Sequence, residues 1–117
     1  MSGIAGFVDT SSSLSEESLT GVIDRMTAQL VHRGPDDSGS AVDAPSGLAL
    51  GCRRLAIQDL SRDGQQPMTS ANRRYMIVMD GAIYNFQELK TELQSTGMRT
   101  WRGTSDTEVL LACLLYT

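Results

Sequence analysis

Asp80, Gly81 and Ala82 follow directly on an apolar run, Tyr75–Met79, and stand just before Tyr84-Asn85, where a helix should open. A turn at the end of a strand puts backbone N–H groups and a polar side chain within reach of a small molecule. Holding or polarising a ligand is therefore the chemistry this stretch could do. Asp80-Gly81 is a turn dipeptide and suits a type I′ turn. Elsewhere the reactive residues are sparse. The one histidine, His32, cannot build a metal site alone and shapes the loop before Gly34-Pro35. Cys52 and Cys113 are far apart, lie in apolar contexts and lack metal-ligand spacing, so buried free thiols are expected, with no metal and no cofactor.

The elements that must position this stretch can be read in order. Gly3–Val8 is a short apolar segment with two glycines, which suggest close approach of a backbone or a ligand. Ser15 reads as a helix cap, with Leu14 and Leu19 at the staple positions and Glu16 and Glu17 in the first turn. Leu19, Val22, Ile23, Met26 and Leu30 fall on one face, and the helix should run to Val31–Arg33 before Gly34-Pro35 stops it. Residues 33–40 read as a polar loop, and Asp43–Gly47 as a turn. Gly47–Ile57 reads as a strand carrying Arg53 and Arg54, at least one of which must face solvent or an acid. Residues 59–70 read as a loop. Tyr75–Met79 reads as a buried strand. Asn85 and Glu88 form a capping box, with Tyr84 and Leu89 as staple, for a helix ending at Gly97. Ser105 and Glu108 form a second box for a final helix that is apolar almost all round and so wants burial on most sides.

The chain of 117 residues is one-domain sized, and 40% of it is apolar with 5% aromatic, so Leu, Ile, Val, Met and Ala must build the core. Net charge is −4, and the sequence pI is about 4.8. Acidity argues against nucleic acid or an anionic membrane as partner. No secretory pattern opens the chain and no apolar run reaches membrane-spanning length, so a cytoplasmic protein is expected.

Five segments together resemble the N-terminal glutaminase domain of glutamine-dependent asparagine synthetases. They are SGIAGF at 2–7, HRGPDDSG at 32–39, RRLAIQDLS at 53–61, DGAIYNFQELKTEL at 80–93 and TSDTEVLL at 104–111. Those domains are class II glutamine amidotransferases of the N-terminal-nucleophile hydrolase fold. The resemblance implies an α+β fold, a partial αββα sandwich of antiparallel sheets and helices. It further implies that residues 1–117 form one partial domain, whose remaining strands and ATP- and aspartate-binding synthetase domain would follow. An uncovered sheet face in such a fragment would favour a homo-oligomer.

The resemblance also assigns roles. Ser2 stands at the nucleophile position, where the family has a cysteine freed by removal of the initiator Met, its own amine acting as base. Asp80 and Gly81 stand at the oxyanion-hole positions, in DGAIYN where the family has Asn-Gly-Glu-Ile-Tyr-Asn. Arg54 matches the arginine that pairs with the glutamine α-carboxylate, and Asp106 the aspartate that takes its ammonium. Leu55 and Ile57 match backbone contacts of the pocket. Ala82 replaces a substrate-holding glutamate, and Cys52 stands where many members have histidine. Three readings follow: a degenerate, inactive glutaminase-type domain that accepts glutamine or a similar amino acid; a working amidohydrolase with Ser2 as nucleophile; and a non-catalytic assembly module.

Overall fold

The computed structural model describes residues 2–55, 64–97 and 101–115. Its order is β1 (Gly3–Val8), α1 (Glu16–Ala28), β2 (Asp37–Asp43), a 3-10 turn (Ala44–Ser46), β3 (Leu48–Arg54), β4 (Met68–Thr69), β5 (Met76–Ile77), α2 (Phe86–Ser95) and α3 (Asp106–Leu115). β3 is the centre of a three-stranded antiparallel sheet in the order β1-β3-β2, and β4 and β5 form a small antiparallel pair. Helices and antiparallel strands are thus mixed, as the α+β expectation required.

One face of the large sheet packs on α1. Ala5 pairs with Gly51 and Phe7 with Ala49, and both pairs point the same way because directly opposite residues share a face. Against them α1 presents Leu19 and Ile23, both fully buried, and Thr27. Gly51 is required at this contact. A Cβ there would collide with Thr27 Oγ1 and press on Ile23. The buried stripe is therefore 19, 23 and 27, and Met26 stays 36% exposed. The opposite face carries Ile4 and Val8, which remain 46% and 60% exposed.

Ser15 caps α1 as expected, its hydroxyl accepting the Ser18 N–H at 3.2 Å. The helix ends at Ala28, sooner than the apolar pattern suggested, and successive turns carry the chain from Gln29 to Arg33. Ser105 likewise accepts the Glu108 N–H at 3.2 Å at the start of α3. Gly97, with φ of 118°, follows the last turn of α2 and fits the expected C-terminal signal.

Several expectations are corrected. Asp37–Asp43, with residues 37–40 read as loop and Asp43 as the start of a turn, is strand β2. Among the described residues it is an edge strand paired only with β3, so its side chains need little apolar character. Tyr75–Met79 is not a buried strand. Only Met76 and Ile77 are extended, and Met76 is 38% exposed. Asn85 makes no side-chain cap to α2, and Tyr84 is 95% exposed, so neither the box nor the staple forms there. Asp80-Gly81 is not a type I′ turn, since among the described residues only Gly47, Gly97, Ser12 and Arg73 have positive φ. Glu108 does not close back on its cap. Its carboxylate instead accepts the N–H groups of Arg102 at 2.8 Å and Gly103 at 2.9 Å.

The stripe on α1 gives a direct test. Ile23→Ala should cost about 2–5 kcal/mol in urea unfolding. Met26→Ala, by contrast, should change stability by less than about 0.5 kcal/mol. Equal losses would contradict the packing described.

Candidate functional site

A cavity of about 280 Å³ opens where β1, β3, the segment after β5 and the start of α3 converge. Its size falls just below the usual range of ligand pockets, roughly 300–1,000 Å³. Ser2, Arg54, Leu55, Asp80, Gly81, Ala82 and Asp106 all line it. Every sequence-derived site residue is therefore brought to one place except Ile57, which lies outside the described residues.

β3 delivers Arg54 at its last position, and the residue is only 8% exposed. Arg54 Nη2 donates to Asp37 Oδ2 at 3.3 Å, so the partner expected for one arginine of the pair comes from the neighbouring strand β2. Arg53 uses its Nε on the Gly34 carbonyl at 2.9 Å. α3 delivers Asp106 in its first turn, also 8% exposed. Its Oδ2 accepts the Ile83 N–H at 2.8 Å, which ties the Asp80–Ala82 segment to the helix.

Gln66 finishes this framework, and sequence reasoning missed it. The side chain is 7% exposed, and its amide joins three elements. Oε1 accepts the Met79 N–H at 2.6 Å and the Cys52 thiol at 3.7 Å, while Nε2 donates to Thr107 Oγ1 at 3.1 Å. Only the position just before Pro67, in a polar stretch, marked it in the sequence, and that is a turn signal rather than a burial signal.

Arg33 was also missed. Gly3 has no side chain, so Leu30 and the Arg33 side chain pack close above it. From there Arg33 Nε donates to the Ser2 carbonyl at 2.9 Å and Nη2 to Asp80 Oδ2 at 3.2 Å. Asp80 Oδ1 in turn accepts the Ser2 N–H at 3.2 Å. The Ser2 hydroxyl accepts the Leu55 N–H at 3.3 Å. Residue 2 is thus held at its nitrogen, its carbonyl and its side chain.

Cys52 sits behind the cavity, 1% exposed. Burial pushes its thiol up to about 11, with the Arg54 guanidinium opposing part of the rise. A thiol so placed is neutral at physiological pH and poorly suited to attack a carbonyl. Among the described residues no cluster of three or more His, Cys, Asp and Glu could hold a metal ion. No helix among them is long and apolar enough to cross a membrane.

The chain matches the family model of the glutamine amidotransferase domain over residues 1–116. It is 43% identical over 113 residues to asparagine synthetase (glutamine-hydrolyzing) 3 of Bacillus subtilis, which covers 95% of this chain and 17% of that protein. It is 44% identical over 91 residues to asparagine synthetase (glutamine-hydrolyzing) 1 of the same organism, covering 78% of this chain and 14% of the relative. A putative asparagine synthetase (glutamine-hydrolyzing) of Mycobacterium tuberculosis is 38% identical over 97 residues, covering 77% and 15%. The chain belongs to the glutamine amidotransferase domain family, of class II, and resembles the glutaminase part of asparagine synthetases. It spans 14–17% of the length of these relatives.

The Cys52 environment sets a pH dependence. An unfolded thiol ionises near 9.0, while the folded one stays neutral to about 11. Over that window the unfolded chain releases its proton first, so stability falls as pH rises. The loss attributable to Cys52 should reach about 2–3 kcal/mol by pH 11. Urea midpoints between pH 8 and 11 should fall more steeply in the parent than in Cys52→Ala, and parallel slopes would contradict the buried thiol.

Proposed function

We propose that the cavity binds an α-amino acid of the glutamine type and that hydrolysis of its side-chain amide is lost or nearly so. The observation that supports binding is the pairing of two buried groups of opposite charge, Arg54 and Asp106, at one small cavity. A guanidinium carries five donors in a planar fork, which suits it to serve a ligand carboxylate as well as Asp37. Asp106, fixed at the start of α3, is the natural partner for the ligand's ammonium. Ala82 offers no carboxylate beside it, so affinity should be weaker than in a domain with glutamate at that position.

The case against turnover rests on polarity. Amide hydrolysis by an N-terminal nucleophile builds negative charge on the carbonyl oxygen, and a donor must meet it. At that position this chain has Asp80, whose ionised carboxylate only accepts hydrogen bonds. It lies against residue 2, with its Oδ1 3.2 Å from the Ser2 nitrogen. Gly81 can still offer its N–H. Losing one of two donors costs about a hundred- to a thousandfold in rate, and an added negative charge costs more.

The test is ammonia release from L-glutamine by protein that begins at Ser2, compared with the Ser2→Cys/Asp80→Asn double variant. The parent should stay near background, and the double variant should gain at least about a hundredfold. Rapid release by the parent would overturn the proposal and support the Ser2 amidohydrolase reading instead.

A further inference from the structure

Asp80 has a second set of contacts that amide hydrolysis does not require. It sits between Arg33 and the backbone of residue 2, with one oxygen on each: Oδ2 on Arg33 Nη2 and Oδ1 on the Ser2 nitrogen, both at 3.2 Å. Arg33 completes the ring through its Nε on the Ser2 carbonyl at 2.9 Å. The two side chains are only about a third exposed, at 34% and 35%. Two segments far apart in sequence therefore converge on the main chain of a third, at residue 2.

From this ring we propose that Asp80 and Arg33 are positioning residues for the main chain of residue 2, and that when Ser2 is the first residue Asp80 holds its α-amine as an ammonium ion. The geometry already places a carboxylate oxygen at hydrogen-bond distance from that nitrogen. Replacing the amide by an amine adds a positive charge at the same point, and an adjacent opposite charge favours the charged form. Arg33 opposes this, but its own charge is shared with Asp80. Among the described residues, the other charged or titratable groups lining the cavity are Arg54 from β3, Asp106 from α3 and Tyr84 ahead of α2. An ammonium has no lone pair, so it cannot take a proton from the Ser2 hydroxyl. The pairing thus lowers the fraction of amine free to act as base by about tenfold, an effect separate from the missing oxyanion donor. It rests on the glutaminase reading only in naming the amine as the would-be base, and it needs no ligand.

The experiment uses protein that begins at Ser2, released by protease from an N-terminal fusion. The α-amine is labelled by reductive methylation with 13C-formaldehyde, and its NMR shift is followed with pH. Each sample is compared with itself in urea. The folded parent should bind the amine proton about tenfold more tightly than the unfolded chain. Asp80→Asn should abolish that gain, and Arg33→Met, which removes the opposing cation, should enlarge it. Equal titration of folded and unfolded parent would overturn the proposal, as would an unchanged amine in Asp80→Asn. Neither result depends on glutamine binding, so failure here leaves the cavity's ligand untouched, and failure to bind glutamine leaves the clamp untouched.

Discussion

A buried amide holds the site together. Gln66 is enclosed, and each end of its side chain is engaged: the oxygen by Met79 and Cys52, the nitrogen by Thr107. A buried amide left without partners costs about 1–3 kcal/mol for each lost bond, so the arrangement is strongly specified. Its consequence is geometric. Between β5 and α2 the chain has no regular structure to fix Asp80, Gly81 and Ala82. Gln66 on the Met79 N–H and Asp106 on the Ile83 N–H pin that stretch at both ends. The same two side chains belong to the cavity wall, so the groups that build the loop also present its ligand surface.

The cavity's character follows from which atoms those contacts leave pointing inward. Arg54 and Asp106 put opposite charges on a wall that also carries Asp80, Gln66 and Tyr84 among smaller and apolar groups, and in the proposed reading the two charges suit a zwitterion. On the same wall Asp80, which under the proposed function would meet developing negative charge, pairs with Arg33 and contacts the nitrogen of residue 2. In the proposed reading, recognition and turnover depend on different polar atoms. A chain can retain the first set and lose the second without disturbing its fold.

Much of the fold was legible in local chemistry. Ser15 and Ser105 behave as caps because a hydroxyl followed by a free helical N–H is a local relation, settled within four residues. β2 was not legible, since DSGSAVD has neither apolar character nor alternation, and its pairing with β3 supplies what its side chains do not. Tyr75–Met79 misled for the converse reason: an apolar run signals burial only if something covers it, and Met76 stays partly exposed. The site residues were legible through motif resemblance, which located Ser2, Arg54, Asp80 and Asp106 together. Gln66 and Arg33 act across 13 to 47 positions, on Met79, Thr107, Ser2 and Asp80, and no local pattern encodes such reach.

The central claim is that this polar framework makes a seat for a glutamine-type amino acid. An amide 1H–15N spectrum titrated with L-glutamine tests it most directly. Saturable shifts confined to Leu55, Gly81, Ile83 and the Arg54 side chain, and lost in Arg54→Met, are the result expected. An unchanged spectrum at millimolar glutamine, or shifts that persist in Arg54→Met, would contradict it.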